Sequence, residues 1–382
     1  MKVKEMIYKH FKIKIDSSSW PNGNVPSNLL KLNNIDYKIN ILEALYLIGK
    51  LTRPSVLKGF SLSDFWAWLR YFPAFDPHCS EARFRKEWDS LDSHQKTIAS
   101  DDLGMGFSCL FLKENLDINH FANTTHVLAN LSKGLYQPSP LIKKKGPKKT
   151  PDFIGFHFNN DLSIIECKGT QNTLNALETS MMDGIEQKQN LQRKGAVFQH
   201  RLVAGTFIPQ NSNSQNPTIK VIDPEWKIEG EFLKYSKYDI ENTIIQLSFA
   251  NDLSQIGFTN LSKIFSKTFE EEDIDSSYEK DIKDIDRKGF KRENEMWRKN
   301  IEVVWDEPME YKGNSFGGIK YSIEVPRTTI EEIKNSKKGS YFIKNFEEKF
   351  RSVKWNKKEN IDNSHKFETE SPLGINYKLE LI

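Results

Sequence analysis

Two short apolar runs, at 153–158 and 162–167, stand three residues apart with only Asn159-Asn160-Asp161 between them. A polar gap that short joins antiparallel strands and leaves no room for a crossover helix, so the pair reads as a β-hairpin. Side chains alternate across a strand, which puts Glu166 and Lys168 on one face and Ile165 and Cys167 on the other. With a three-residue loop pairing Phe158 with Leu162, Asp152 falls opposite Lys168 and Ile154 opposite Glu166. Asp152, Glu166 and Lys168 then converge at one end, since directly opposed residues point the same way. A two-residue loop sends Asp152 to the wrong side. The turn decides whether the three charges meet.

Around the hairpin the chain reads as three segments. Residues 1–95 are expected to be mostly helical, with Ile39, Ile41, Leu42, Leu45 and Ile48 on one helical face. The stretch at 60–75 is crowded with Phe60, Phe65, Trp66, Trp68, Tyr71, Phe72 and Phe75. Core or inter-domain packing suits it better than base stacking, because only Lys58 and Arg70 lie nearby and stacking platforms interleave basic residues. Residues 96–224 read as mixed α/β. A helix runs from Asp101 or Asp102 to Glu114, a second helical stretch covers 117–131, and the hairpin follows. A helix over about 172–194 and strands at 201–208 and 218–222 come next, the strands parted by a polar loop at 209–217. Residues 225–382 start with a dense run of charge over 266–300, read as a solvated helix or linker. Strands at 301–305 and 319–325 then suggest a small α+β module.

The 382 residues include 25 Phe and 8 Trp, enough apolar material to exclude wholesale disorder. Fifty-five Lys and Arg against 52 Asp and Glu leave +3, a balance that neither demands nor excludes nucleic acid. No apolar run approaches the roughly 18 residues of a membrane span, so no membrane partner is expected. The first five residues carry charge and no leader-like apolar stretch, and Cys79, Cys109 and Cys167 are odd in number and far apart. A reducing cytoplasm is the expected setting. Gly313-Asn314-Ser315-Phe316-Gly317 matches G-x-S-x-G but precedes a strand, where a nucleophile elbow needs a helix. His120 and His126 are six apart and no Cys or His stands at zinc spacing from His78-Cys79, so neither reads as a zinc site.

Chemistry concentrates at the hairpin end. Two carboxylates brought together repel, a cost usually tolerated where a divalent cation binds. Mg²⁺ takes one or two carboxylates and keeps water and phosphate as its other ligands. A lysine beside it orients a bound water and stabilises charge on phosphate oxygens, which completes the parts for phosphodiester hydrolysis. Acid-x-Lys also occurs at Asp36, Glu186, Glu225, Asp281, Glu332 and Glu347. Only at Glu166 does an apolar strand lead into the acid, a Pro-Asp precede it by fourteen residues and a helix follow.

Pro151-Asp152 with Glu166-Cys167-Lys168 resembles the PD-(D/E)XK nuclease superfamily over about residues 100–224. The resemblance implies a restriction-endonuclease-like α/β core: a helix, the β-hairpin, a helix and further strands on a mixed sheet. A helical N-terminal segment and an α+β C-terminal segment would flank it. It implies that Asp152 and Glu166 hold Mg²⁺ (Mn²⁺ substituting), with the Cys167 carbonyl as a further ligand and Lys168 assisting the water. An extra acid on the first helix has Asp102 and Glu114 as candidates, and a glutamine on the following helix has Gln187. It implies a nuclease acting on DNA in preference to RNA, with restriction or phage defence as a common setting. A protein partner or a homo-oligomer stays open. The basic run Lys143-Lys144-Lys145-Gly146-Pro147-Lys148-Lys149 reads either as a solvated linker or as phosphate contact beside the cleaved bond. The alternative reading is a non-catalytic nucleic-acid-binding or assembly subunit that keeps the fold.

Overall fold

A computed structural model describes residues 7–52, 70–131, 150–188, 198–224, 235–266, 277–311, 314–335, 356–357, 366–371 and 373–382. The lysine-rich run at 143–149 and the aromatics Phe60, Phe65, Trp66 and Trp68 lie outside these residues.

Seven strands build the central sheet: β1 (Tyr8–Ile15), β2 (Asp36–Asn40), β3 (Ile118–Asn123), β4 (Phe153–His157), β5 (Leu162–Thr170), β6 (His200–Phe207) and β7 (Thr218–Ile222). Their order is β2-β1-β7-β6-β5-β4-β3, with β1/β7 and β5/β6 parallel and the other pairs antiparallel. The protein is therefore mixed α/β around a mixed sheet. The described N-terminal residues are not mostly helical, for β1 and β2 belong to this sheet. In β1, Phe11, Ile13 and Ile15 are buried and alternate with Lys12 and Lys14, a period of two that fits a strand.

Among the described helices, α1 (Ser27–Leu30) and α2 (Ile41–Thr52) precede the long α3 (Ser93–Leu116), followed by α4 (Thr124–Leu131) and α5 (Leu174–Lys188). Helix α3 begins more than two turns before Asp101, because the Asp92 carboxylate accepts the His94 and Gln95 N–H groups as an N-cap. It ends at Asp117, which takes left-handed backbone at φ 51°. The expected helix over 117–131 is instead β3 followed by α4. Residues 118–122 are all buried, so both faces of β3 are covered and no alternation shows in its sequence.

The C-terminal third supplies α6 (Lys237–Gln255), α7 (Thr259–Ser266), α8 (Ser277–Lys283) and α9 (Arg327–Asn335). It also forms an antiparallel six-stranded sheet ordered β11-β12-β13-β10-β9-β8. Its strands are β8 (Lys291–Glu293), β9 (Met296–Tyr311), β10 (Asn314–Pro326), β11 (Asn356–Lys357), β12 (Lys366–Glu370) and β13 (Asn376–Leu381). Part of the stretch expected to be a solvated helix or linker thus becomes strand, since β8 pairs with β9 and Glu293 meets Arg298 across the pair. Ser315 sits within β10 opposite Glu310, so no helix follows the G-x-S-x-G match.

Helix α3 lies on one face of the central sheet, while α5 covers β5 and β6 on the other. Helix α6 packs on β3 and β4, where His120 is buried against the rings of Phe156 and Phe249. One contiguous apolar core runs from Ile7 to Leu381 and includes Tyr71, Phe72 and Phe75. Phe72 stacks on Trp305 of β9, so these aromatics serve packing. A smaller cluster of Leu177, Met181, Val203, Phe207 and Ile222 fills the space beneath α5. Among the described residues no helix is long and apolar enough to cross a membrane.

Candidate active site at the end of the hairpin

The turn between β4 and β5 has a three-residue loop placed one residue earlier than the sequence suggests. The His157 N–H donates to the Asp161 carbonyl at 2.9 Å and the Asn160 N–H to the His157 carbonyl at 3.0 Å. Asn160 holds φ 64°, a left-handed geometry that asparagine tolerates and that three-residue hairpins require. The register therefore pairs Phe156, not Phe158, with Leu162, and Phe153 with Ile165. This slides the strands by two residues, which preserves every side chain's face. One step beyond Phe153, Asp152 comes level with Glu166 instead of Lys168.

Asp152 lies just before β4, and its carboxylate Oδ2 accepts the Cys167 N–H at 2.8 Å. A residue's N–H and C=O leave a strand on the same side, so the Cys167 carbonyl also points past the end of β4, beside Asp152. Glu166 is fully buried; its Oε1 lies 2.5 Å from Lys168 Nζ, and its Oε2 is buried without a hydrogen-bond partner. Burial and then the Asp152 charge push the Glu166 carboxyl up to about 7, against the pull of Lys168. Burial likewise raises Asp152, opposed by the Cys167 N–H and Lys168 and reinforced by Asp101.

Glycines let both layers close on this point. A Cβ on Gly184 of α5 would stand 3.1 Å from Glu166 Cγ and 3.2 Å from Lys168 Cε. On the other face, a Cβ on Gly169 would fall 1.7 Å from the Ser100 carbonyl, and one on Gly104 2.5 Å from Gly169 Cα. Helix α3 therefore touches β5 backbone to backbone immediately after Lys168, while Cys109 and Cys167 meet with sulfurs 3.8 Å apart.

Asp152, Glu166, Lys168 and the Cys167 carbonyl thus come together. The auxiliary candidates do not join them as expected. Asp102 accepts the Tyr71 hydroxyl at 2.5 Å, and Glu114, near the far end of α3, accepts the Tyr37 hydroxyl at 2.8 Å. The acid of α3 whose charge bears on Asp152 is its neighbour Asp101. Asp101 is exposed and lies three residues before Gly104, the glycine of α3 that meets β5. Gln187 falls within α5; its side chain lies outside the described residues.

A Ser–His pair at the opposite end of the hairpin has a different role. His157 Nδ1 donates to the Leu116 carbonyl at 2.8 Å, so Nε2 accepts the Ser163 hydroxyl at 2.6 Å. Both side chains are buried, and desolvation pushes the imidazole down to about 4. This neutral pair locks the turn.

Among the described residues no group of three or more His, Cys, Asp and Glu side chains could hold a metal. Two carboxylates and a backbone carbonyl still meet the modest demand of Mg²⁺, which keeps waters in its remaining positions. The orphaned Glu166 oxygen beside a second carboxylate is the kind of group that such a cation would satisfy. Comparison with protein-family models, curated proteins and solved structures returns no match for this chain.

Proposed function

We propose that this chain is a Mg²⁺-dependent nuclease of the PD-(D/E)XK type, hydrolysing phosphodiester bonds in DNA. One observation carries the reading: Asp152 and Glu166 stand level at the hairpin end, with a buried, unpartnered Glu166 oxygen and Lys168 2.5 Å from the other. Asp152, Glu166 and the Cys167 carbonyl would hold the cation, which supplies charge stabilisation and a more acidic bound water. Lys168 orients the attacking water and offsets negative charge on the phosphate oxygens. The Cys167 N–H keeps the Asp152 carboxylate turned to the site. The preference for DNA rests on the family resemblance alone.

The non-catalytic reading has one observation in its favour: Lys168 already neutralises Glu166, so the hairpin end can persist without a cation. Incubating purified full-length protein with plasmid, linear duplex, single-stranded DNA and RNA in Mg²⁺, Mn²⁺ or EDTA separates the two. The nuclease reading expects metal-dependent cleavage of DNA, lost in Asp152→Ala, Glu166→Ala and Lys168→Ala. Nucleic-acid binding without cleavage in any metal would favour the alternative.

A further inference from the structure

We infer that the loop between β6 and β7 reads base edges in duplex DNA close to the cleaved bond, with adenine as its preferred base. The inference rests on the nuclease reading for its substrate. Residues 209–217, Pro-Gln-Asn-Ser-Asn-Ser-Gln-Asn-Pro, contain no charged side chain in a protein where 28% of residues are charged. Such a loop has nothing to attract phosphates over distance. It does hold a set of amide and hydroxyl groups, and paired donors and acceptors are what the major groove presents.

The amides divide into two sets. Gln210, Asn213 and Gln215 turn inward: Gln210 Nε2 donates to Gln171 Oε1, Asn213 Nδ2 to the Asn172 carbonyl, and Gln215 Oε1 accepts the Leu174 N–H. The Arg83 guanidinium reaches from outside the loop and donates to the carbonyls of Gln210, Asn213 and Gln215. Ser212, Ser214 and Asn216 are exposed, and Asn211 is exposed while its Nδ2 donates to the Phe84 carbonyl at 3.5 Å. One set fixes the backbone and the other is displayed. Preorganisation of this kind removes much of the ordering cost of binding.

The loop also sits at the right end of the sheet. Strand β6 runs parallel to β5 with Lys168 beside Gly205 and Thr170 beside Phe207, and the Ile208 N–H donates to the Thr170 carbonyl. Gln171, which receives Gln210, donates in turn to the Lys96 carbonyl and Ser100 of α3. Three extended residues separate Gln171 from Lys168, roughly 10 Å. At 3.4 Å per nucleotide along one strand, that is about three base pairs. Asparagine pairs bidentately with adenine N6 and N7, which fixes the expected base.

The test uses full-length wild type and the double variant Asn211→Ala/Asn216→Ala, which leaves Gln210, Asn213, Gln215 and Arg83 in place. A duplex library randomised around one position is digested in Mg²⁺ and the cut ends are sequenced. The same proteins are titrated in Ca²⁺ against fluorescent duplexes with and without adenine at the preferred site. The inference expects adenine enriched about tenfold or more at a fixed position within about four base pairs of the cut. It expects that enrichment to flatten in the double variant. Wild-type cleavage without base preference, or preference undiminished in the double variant, overturns it. If no metal supports cleavage, the nuclease reading fails separately. The loop assignment then stands on adenine-dependent binding that the double variant loses, and falls if that binding is absent.

Discussion

Glu166 on β5 and Glu324 on β10 are both buried strand glutamates touched by a lysine. Glu324 also receives Arg298, whose Nη2 lies 2.7 Å and Nε 2.9 Å from Oε1, while Lys378 spans both carboxylate oxygens. Burial would raise the Glu324 carboxyl, but the two cations outweigh it and hold the group below the usual range. Glu166 has one lysine, a neighbouring carboxylate and an oxygen with nothing attached, and its carboxyl rises to about 7. Burial is common to both sites, so it does not distinguish them. The balance of neighbouring charge does: Glu324 is neutralised by Arg298 and Lys378, and the hairpin end has a charge deficit that an added cation would fill.

The largest expected effect tests that deficit directly. Glu166→Gln should reduce metal-dependent cleavage about a thousandfold, since a bound ion's charge stabilisation is worth several kcal/mol at about 1.4 kcal/mol per factor of ten. Glu324→Gln should stay within about threefold of wild type in the same assay. Comparable losses in both variants would erase the distinction between the two glutamates.

A stability contrast comes next. The folded value for Glu166 lies above its unfolded value of 4.5, so the folded state is favoured most below pH 4.5 and loses stability as pH rises through about 7. The loss amounts to about 3 kcal/mol at 1.36 kcal/mol per unit. Glu166→Gln should escape it. Urea unfolding of both proteins at pH 4.5 and pH 8 should show the variant gaining on wild type by that order, with saturating Mg²⁺ narrowing the gap at pH 8. A gap that ignores pH would break the comparison.

Glu324 should behave in the opposite sense and more weakly. Its depressed carboxyl contributes above the unfolded value and loses that contribution as pH falls, so Glu324→Gln should cost about 1 kcal/mol at pH 7 and less in acid. Thermal melts at the two pH values measure it. The smallest effect on stability is expected for Gly184→Ala. Gaining a better helix former, worth about 1 kcal/mol, offsets the crowding of Glu166 and Lys168 by the new methyl. Cleavage should still drop severalfold as those two groups shift. Equal changes in melting and cleavage would show that the glycine serves packing alone.

The sequence made the hairpin and the shared face of Glu166 and Lys168 legible, because alternation survives any even slip in register. The slip itself was hidden in the turn, where Asn160 takes a left-handed backbone that the residues Asn159-Asn160-Asp161 permit at more than one position. Strand β1 is legible in the alternation of Phe11, Ile13 and Ile15 with Lys12 and Lys14, against the helical expectation for residues 1–95. Strand β3 was not readable, since burial on both sides erases its period. Choosing Asp101 over Asp102 needs the rotation of α3, which hinges on a cap at Asp92 and close approach at Gly104.

The parallel pairing of β1 with β7 sets a schedule for synthesis. Ile13 must find Ile219, about two hundred residues downstream, before the sheet can join its two halves. At about 5–20 residues per second, ten to forty seconds pass between the emergence of these strands from the ribosome. During that interval β1 and β2 have no central sheet to join, with Phe11, Ile13 and Ile15 waiting for cover. Nascent chains of this protein should therefore depend on holdase chaperones until about residue 222 is exposed, and stalling translation before that point should yield aggregates.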